Sequence, residues 1–301
     1  MLVLQIFALA AGAAVDPRAD GTIRMAAILK DAAARNDPLK NPFLSRERIA
    51  PLRKRLSEEK NPSRIKRLQY DLAQQLMNSN ENDEAIRLYL ELDRSLEGDP
   101  SAQSSQNRSQ VGVYLAVCWL RVGELENCLT NHTTESCLAP IRLGGVHKLT
   151  RGSTEASKVL TALLEREPDN LGARWLLNIA AMTLGNYPAG VPKRWLIPES
   201  AFASDHDIGR FTDVAGPAGL DEKKLSGGAI VDDFNNDGLL DVITSSIGFS
   251  DPLRFYQNLG DGTFKNRAAA AGLLGLNGGL NMIQADFDND GHLDFLVLRG
   301  G

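Results

Sequence analysis

Cysteine and catalytic motifs are scarce in this 301-residue sequence. The net charge is −5, and two short acidic stretches, residues 232–241 and 286–294, account for the excess of acidic over basic side chains in residues 201–301, so no nucleic-acid partner is expected. The sequence contains neither a GxSxG nucleophile elbow nor an HExxH helix. The run SDHD at residues 204–207 holds a Ser, a His and an Asp, but such adjacent residues do not arrange themselves as a triad. We therefore predict a protein that is not an enzyme.

Long apolar runs are also rare, and the one near the start is too short to span a bilayer. The segment MLVLQIFALAAGAAVDPRAD, residues 1–20, begins with an apolar run whose last residues are small, and Ala11-Gly12-Ala13 fits a signal-peptide cleavage site, although no basic residue precedes the apolar core. An ordinary buried helix is the alternative. We predict an exported protein, secreted, periplasmic or at the cell surface, with no transmembrane span in the mature chain.

The sequence has only three cysteines. Cys128 and Cys137 lie close together in a polar loop, and in an exported protein they are a candidate disulfide; two reduced thiols are the alternative. Cys118 lies in an apolar helical stretch and is expected to be a core residue.

Residues 44–190 have a helical apolar period that is divided by turns. The spacing puts Leu72, Ala73 and Leu76 on one face, and Ala85, Tyr89 and Leu92 recur on the next helix. The small residues would let the two helices approach closely, as in a tetratricopeptide unit. The same pattern predicts a turn at Gly123, a helix that ends before Pro168, and a further helix in ARWLLNIAAMTLG. An unspecialised helical bundle is the alternative.

Prolines at 188, 192 and 198 break the helical period, so residues 191–210 are predicted to be a connector. Beyond it, short β-branched and apolar runs alternate with Gly, Asn and Asp, which indicates strands. The fold class expected is therefore α+β and multidomain, with a helical region followed by a β region at 211–301. Within the β region, Asp261-Gly262 is predicted to form a hairpin turn.

Two acidic turns in the β region have the same pattern at an offset of 53 residues. The first is DFNNDGLLD, residues 233–241, and the second is DFDNDGHLD, residues 286–294. The flanking segments at 211–220 and 264–273 match at the same offset, so each turn belongs to a longer repeat. A period of this length fits a four-stranded propeller blade.

Alternating carboxylates on a tight loop supply the oxygen ligands that Ca²⁺ takes, and without a cation they would repel one another. The second loop would offer the side chains of Asp286, Asp288, Asp290 and Asp294 and the carbonyl of His292. The first would offer Asp233, Asn235, Asp237 and Asp241 and the carbonyl of Leu239. Gly238 and Gly291 follow the third ligand, where positive φ or a close approach of the backbone is expected.

Three alternatives to calcium sites of this kind fit the sequence less well. An EF-hand needs a twelve-residue loop closed by Glu and flanked by helices, whereas strand-like runs flank these loops. Magnesium demands stricter octahedral geometry, so calcium is preferred. An acidic, solvated hairpin explains one such turn but not the same pattern twice in register.

The runs FYQNLGDGTF, AGL and DFDNDGHLD resemble FG-GAP or VCBS-type repeats of integrin α-subunit propellers. They are particularly similar to secreted proteins of the cartilage acidic protein and ASPIC/UnbV group, in which tetratricopeptide-like helices commonly precede the propeller. The resemblance implies calcium-binding adhesion and scaffold proteins with no common chemistry. Those propellers have several blades, so a carboxy-terminally truncated, incomplete propeller is expected here.

Together these observations predict an exported calcium-binding scaffold or adhesion-type protein, with a protein or glycan as its partner. Its mechanism would be structural, with the ions holding the blades rigid. The alternative is an accessory of an envelope-associated hydrolase or other enzyme, whose catalytic part lies beyond residue 301.

Overall fold

A computed structural model describes residues 19–97, 101–131, 133, 135, 136, 138–206, 209, 211–222 and 225–299. The chain divides into two compact units. One unit, the helical unit, comprises residues 44–210, and the other, the β unit, comprises residues 1–43 together with 211–301.

Six α-helices form the described part of the helical unit, and each packs against the next along the chain. They are α2 (Ser45–Glu58), α3 (Pro62–Asn78), α4 (Asn82–Leu96), α5 (Ala102–Asn131), α6 (Arg151–Arg166) and α7 (Leu171–Thr183), preceded along the chain by α1 (Ala19–Arg35) of the β unit. Short 3₁₀ helices lie at Pro38–Lys40, Leu143–Gly145 and Glu199–Phe202.

The boundaries of α3 follow from its capping residues. The Asn61 side chain accepts hydrogen bonds from the backbone N–H groups of Ser63 and Arg64, and Pro62 occupies the first helical position, where its missing N–H costs nothing. The predicted contact faces of α3 and α4 are buried: Leu72, Ala73, Leu76, Ala85, Tyr89 and Leu92 are each at most 3% exposed. Whether these helices are tetratricopeptide repeats stays a prediction.

The predicted turn at Gly123 is wrong, because Gly123 lies inside the continuous helix α5. A Cβ atom on Gly152 of α6 would come within 2.4 Å of both the Gly123 nitrogen and the Trp119 carbonyl oxygen. The glycines therefore let the two helix backbones approach closely. Close helix packing, rather than a turn, explains glycine at 123.

The proline-rich segment after α7 is held against that helix. Asn178 is fully buried; its side chain donates to the carbonyl of Trp195 at 2.9 Å and accepts from the backbone N–H of Ile197 at 3.0 Å. Arg174 donates to the carbonyls of Trp195 and Leu196 at 3.1 and 2.7 Å. Trp195, 2% exposed, joins the core of the helical unit.

The β unit contains a short helix, α8 (Ala215–Ala218), and six strands in its described residues. Strands β1 (Ala229–Asp232), β2 (Asp241–Thr244), β3 (Arg254–Asn258) and β4 (Phe264–Asn266) form an antiparallel sheet in that order, and β5 (Asn281–Ala285) pairs with β6 (Asp294–Leu298). The predicted hairpin at Asp261-Gly262 is confirmed, since Asn258 of β3 pairs with Phe264 of β4.

One apolar core joins the two sheets. It contains Ile230, Phe234, Ile243, Leu253, Phe255, Ala268, Leu273, Leu276, Met282, Phe295 and Val297. Met25, Ala26 and Leu29 of α1 pack against this core. At the junction of the sheets, the Gln284 side chain of β5 donates to the carbonyl of Val231 in β1 at 3.4 Å.

The α+β layout predicted from the sequence is confirmed, with helices in the first two thirds of the chain and antiparallel sheets at the end. Within the described residues the sheets do not close into a propeller. The predicted boundaries at residues 20, 44, 190 and 210 remain predictions.

Candidate metal centre

The two acidic loops connect paired strands in the same register. Asp232 pairs with Asp241 at the end of the β1–β2 hairpin, and Ala285 pairs with Asp294 at the end of the β5–β6 hairpin. Each loop, 233–241 or 286–294, therefore closes on the first residue of its returning strand. We call these the first loop and the second loop.

In the first loop, side-chain oxygens accept hydrogen bonds from the loop's own backbone. Asp233 accepts from the N–H groups of Asp237 and Gly238 at 3.0 and 2.8 Å. Asn235 Oδ1 also accepts from Asp237 N at 2.9 Å, and Asp237 Oδ1 accepts from Leu239 N at 2.9 Å. This network folds the loop around its acidic side chains.

The second loop repeats this network atom for atom. Asp286 accepts from the N–H groups of Asp290 and Gly291 at 3.0 and 2.9 Å. Asp288 Oδ1 accepts from Asp290 N at 3.2 Å, and Asp290 Oδ1 accepts from His292 N at 2.9 Å. Every one of these bonds has its partner 53 residues earlier, so the sequence repeat is also a structural repeat.

The same two positions of each loop adopt the left-handed backbone conformation. The φ values are +59° at both Asn236 and Asn289, +86° at Gly238 and +87° at Gly291. The positive φ expected at the two glycines is confirmed. Asparagine is one of the few other residues that tolerate this conformation, and it precedes the third predicted ligand in both loops.

The aspartate that closes each loop is buried. Asp241 is fully buried and Asp294 is 1% exposed. Asp241 Oδ1 accepts from Asn258 N at 2.8 Å, and Asp294 Oδ2 accepts from Phe287 N at 3.1 Å. The other oxygen of each carboxylate, Asp241 Oδ2 and Asp294 Oδ1, has no hydrogen-bond donor among the described residues.

These buried carboxylates resist ionisation. Burial raises the pKa of Asp241, and the negative charges of Asp237 and Asp233 raise it further, while the backbone N–H groups of Asn258 and Phe234 lower it in part. Burial also raises the pKa of Asp294, with added repulsion from Asp288, Asp290 and Asp286. A carboxylate oxygen that is buried, unpartnered and surrounded by other carboxylates is what a bound cation would satisfy.

In the second loop, one oxygen each from Asp286, Asp288 and Asp294 lie within 4.8 Å of one another. Hard oxygen donors at this spacing suit a divalent cation such as Ca²⁺, which accepts six to eight oxygens in flexible geometry. The first loop carries an amide, Asn235, in place of Asp288, and the Asn235 Nδ2 donates to Asp237 Oδ2 at 2.9 Å. The residues present therefore fit a divalent cation, with one carboxylate fewer in the first loop.

Residues 233–297 match the family model of the FG-GAP-like repeat. The match begins at the first acidic residue of the first loop and ends inside β6, so both loops lie within it. A search of curated proteins and a search of solved structures gave no match. The match covers about a fifth of the chain and supports the FG-GAP part of the resemblance.

Within the FG-GAP-like repeat, the geometry groups three of the predicted ligands most tightly, Asp286, Asp288 and Asp294. Asp290 and its counterpart Asp237 each turn one oxygen to the backbone N–H two residues ahead, at His292 and Leu239. The ligand roles of all ten predicted residues, including the carbonyls of Leu239 and His292, stay predictions.

Sequence reasoning missed one contact between the loops of the FG-GAP-like repeat. The Asn236 Nδ2 lies 2.8 Å from His292 Nδ1. Asn236 has no predicted ligand role, and the predicted role of His292 involves only its backbone carbonyl. The contact joins residues 56 positions apart, which no local pattern reveals.

Two sequence predictions fall partly outside the described residues. The candidate disulfide includes Cys137, and the SDHD run includes Asp207; neither residue is described. Cys128 is partly buried and lies in helix α5, so its predicted place in a polar loop is wrong. The exposed Ser204 Oγ donates to the carbonyl of His206 at 2.8 Å. Among the described helices, each is too short or too polar to cross a membrane.

Proposed function

We propose that this chain is a calcium-binding interaction protein in which two ions, one in each acidic loop, rigidify the FG-GAP-like repeat. The observation that carries the proposal is the pair of buried, unpartnered carboxylate oxygens, Asp241 Oδ2 and Asp294 Oδ1, on the aspartates that close the two loops. A buried unpaired acceptor is destabilising. A cation bound to it would remove this cost and would connect the two strands that flank the loop.

The residues that would hold each ion come from both ends of a loop. In the second loop, Asp286 follows β5 and Asp294 begins β6, so an ion shared by them ties the two strands together. In the first loop, Asp233 and Asp241 tie β1 to β2 in the same way. The bound ion would neutralise the charge of the carboxylates, and the loop backbone would hold these carboxylates in position around it. The role proposed is therefore structural rather than catalytic.

FG-GAP-like repeats often bind calcium and occur in adhesion or propeller-type proteins, which supports a role in binding a protein or a glycan. Export is part of the same proposal. We expect these loops to bind calcium as weakly as the sites of extracellular modules, with dissociation constants of roughly 10⁻⁴–10⁻³ M, and such sites fill only where calcium is abundant. The apolar segment at residues 1–15 also supports export.

Calorimetric titration of the full chain with Ca²⁺ tests the proposal. The wild type should take up two ions, Asp233→Ala and Asp286→Ala one each, and the double variant none. Asp261→Ala is the matched control, because Asp261 is an exposed acid in the β3–β4 turn of the same sheet and accepts hydrogen bonds from Thr263 instead of facing either loop. It should bind two ions.

Uptake by the double variant equal to that of the wild type would contradict the proposed ligands. Mg²⁺ at the same concentration should bind more weakly in each protein, because Mg²⁺ demands stricter octahedral geometry than these loops offer.

A further inference from the structure

The first and second loops touch at one polar contact. The side-chain amide of Asn236, which is a donor at Nδ2, lies 2.8 Å from His292 Nδ1, which therefore accepts the hydrogen bond. Asn236 lies between the proposed ligands Asn235 and Asp237, and His292 is itself a proposed ligand through its backbone carbonyl.

Each end of this contact is anchored to a proposed ligand through the backbone. His292 N donates to Asp290 Oδ1 at 2.9 Å, and Asp237 N, directly after Asn236, donates to both Asp233 and Asn235. Asn236 is held at φ +59°, so its side chain has a fixed starting direction. Immobilising one loop therefore also restricts the backbone of the other loop, through this hydrogen bond.

The bases of the two hairpins are joined as well. Gln284 Nε2 of β5 lies 3.4 Å from the carbonyl oxygen of Val231 and 3.5 Å from Asp232 Oδ2, next to the start of the first loop. The loops thus sit on strands that are already in contact, and the contact between Asn236 and His292 adds a second link at the loops themselves.

From these contacts we infer that the Asn236–His292 hydrogen bond couples the two sites, so that an ion in the second loop strengthens calcium binding in the first. The inference rests on the proposed function. Ordering of the second loop fixes the His292 backbone, which holds Asn236 and removes part of the ordering cost at Asn235 and Asp237. By linkage, an ion in the first loop strengthens binding in the second by the same factor.

A single exposed hydrogen bond bounds the size of the coupling at about two- to tenfold in affinity. Repulsion between two divalent ions acts in the opposite direction, and salt screens it. The sign of the coupling is therefore measurable, and positive coupling requires that the shared contact outweigh the repulsion.

The test compares a chain with two working loops to chains with one, at about 0.15 M salt, where the Debye length is near 8 Å. Calcium titrations of Asp286→Ala and Asp233→Ala give the affinity of the first and the second loop alone. In the wild type, the overall binding constant for two ions should then exceed the product of the two single-loop constants by about two- to tenfold. With Asn236→Gly introduced into all three chains, the overall constant should equal the product of the two single-loop constants.

Asn289→Gly is the matched control, because Asn289 occupies the equivalent position of the second loop with the same φ of +59° and has no hydrogen bond to the first loop in the described part of the chain. It should keep the excess affinity. His292→Leu puts in the residue that the first loop carries at this position, Leu239, and should abolish the excess as Asn236→Gly does. Circular dichroism and thermal melting confirm that each variant is folded.

Two results would overturn the coupling alone: a wild-type overall binding constant that equals or falls below the product of the single-loop constants, or an Asn236→Gly chain that keeps the excess. Absence of calcium uptake in the single-loop chains and in the wild type would overturn the proposed function and the coupling together.

Discussion

Asp241 and Asp294 are equivalent residues of two hairpins 53 positions apart, and each buries one carboxylate oxygen that accepts no hydrogen bond within the described part of the chain. Each uses its other oxygen to accept a backbone N–H, from Asn258 or from Phe287. The same half-satisfied carboxylate at both places is the feature from which the calcium proposal is derived.

Replacing these aspartates by asparagine should raise the melting temperature without calcium and lower it, relative to the wild type, with calcium. A buried, unpartnered polar group costs about 1–3 kcal/mol. Asp241→Asn and Asp294→Asn remove the buried charge and place an N–H₂ donor beside the neighbouring carboxylates. In EDTA each should raise the melting temperature of the β unit by roughly 2–8 °C.

With millimolar calcium, the variants should instead melt below the wild type. The wild type gains stability from the bound ion, whereas each variant has lost one of the carboxylates that hold it. Differential scanning calorimetry in both buffers measures the two effects. Variants that melt below the wild type in EDTA as well would show that the buried aspartates stabilise the fold without an ion, contrary to the account.

The stability of the calcium-free protein should fall as the pH rises through the titration range of these two carboxyls. Their folded-state pKa values are raised, so the folded state holds protons that the unfolded chain has already released. Above the unfolded value of about 3.9, each unit of pH therefore lowers the free energy of unfolding until the folded carboxyls have also ionised.

Calcium should invert this dependence, because the ion competes with protons for the same oxygens. Melting curves from pH 4 to 7.5, with EDTA or with calcium, should show a calcium-induced rise in melting temperature that grows with pH. Subtracting the curves of the Asp241→Asn/Asp294→Asn double variant removes the contribution of other titrating groups. A calcium effect that is largest at pH 4 would contradict the prediction.

The second loop should bind calcium more tightly than the first, because it offers Asp288 where the first loop offers Asn235. A reciprocal exchange isolates this difference. Asn235→Asp should lower the dissociation constant of the first loop by roughly tenfold, and Asp288→Asn should raise that of the second loop by a similar factor, since ligand charge tunes such sites. Titration of single-loop chains measures each constant. Equal affinities before and after the exchange would count against direct coordination by this position.

Gly291→Ala should destabilise the β unit by about 1–2 kcal/mol, the cost of a left-handed conformation for a residue with a Cβ atom. The cost is conformational, because nothing lies within 4 Å of the added Cβ and φ is +87°. Gly172→Ala in α7 is the control: its Cβ would meet only Asn170 Oδ1, at 3.6 Å, and it should instead stabilise by about 0.4–1 kcal/mol. Urea unfolding of both variants measures the contrast.

Sequence patterns predicted the local features of the fold better than its long-range contacts. The buried faces of α3 and α4 and the β3–β4 hairpin follow from periodicity and turn chemistry, and the structure has all of them. Gly123 was mistaken for a turn residue because a glycine chosen for close helix contact with Gly152 looks the same in sequence as one chosen for a turn. The packing of Met25 and Leu29 against the β core was likewise invisible, since it joins the two ends of the chain.

The candidate site was predictable to the same extent. The repeated acidic pattern gave the loops, and the positive φ of Gly238 and Gly291 followed from their positions. The full burial of Asp241 was not predictable, because it depends on the packing of strands that lie elsewhere in the sequence. For the same reason, the contact of Asn236 with His292 required the structure.

The most direct test of the account is an anomalous difference map from a crystal of the full chain grown with millimolar Ca²⁺. We predict a peak in each loop, with Asp241 Oδ2 and Asp294 Oδ1 at about 2.3–2.6 Å from their ions. Two loops without a peak, with their carboxylates turned towards bulk solvent, would contradict it.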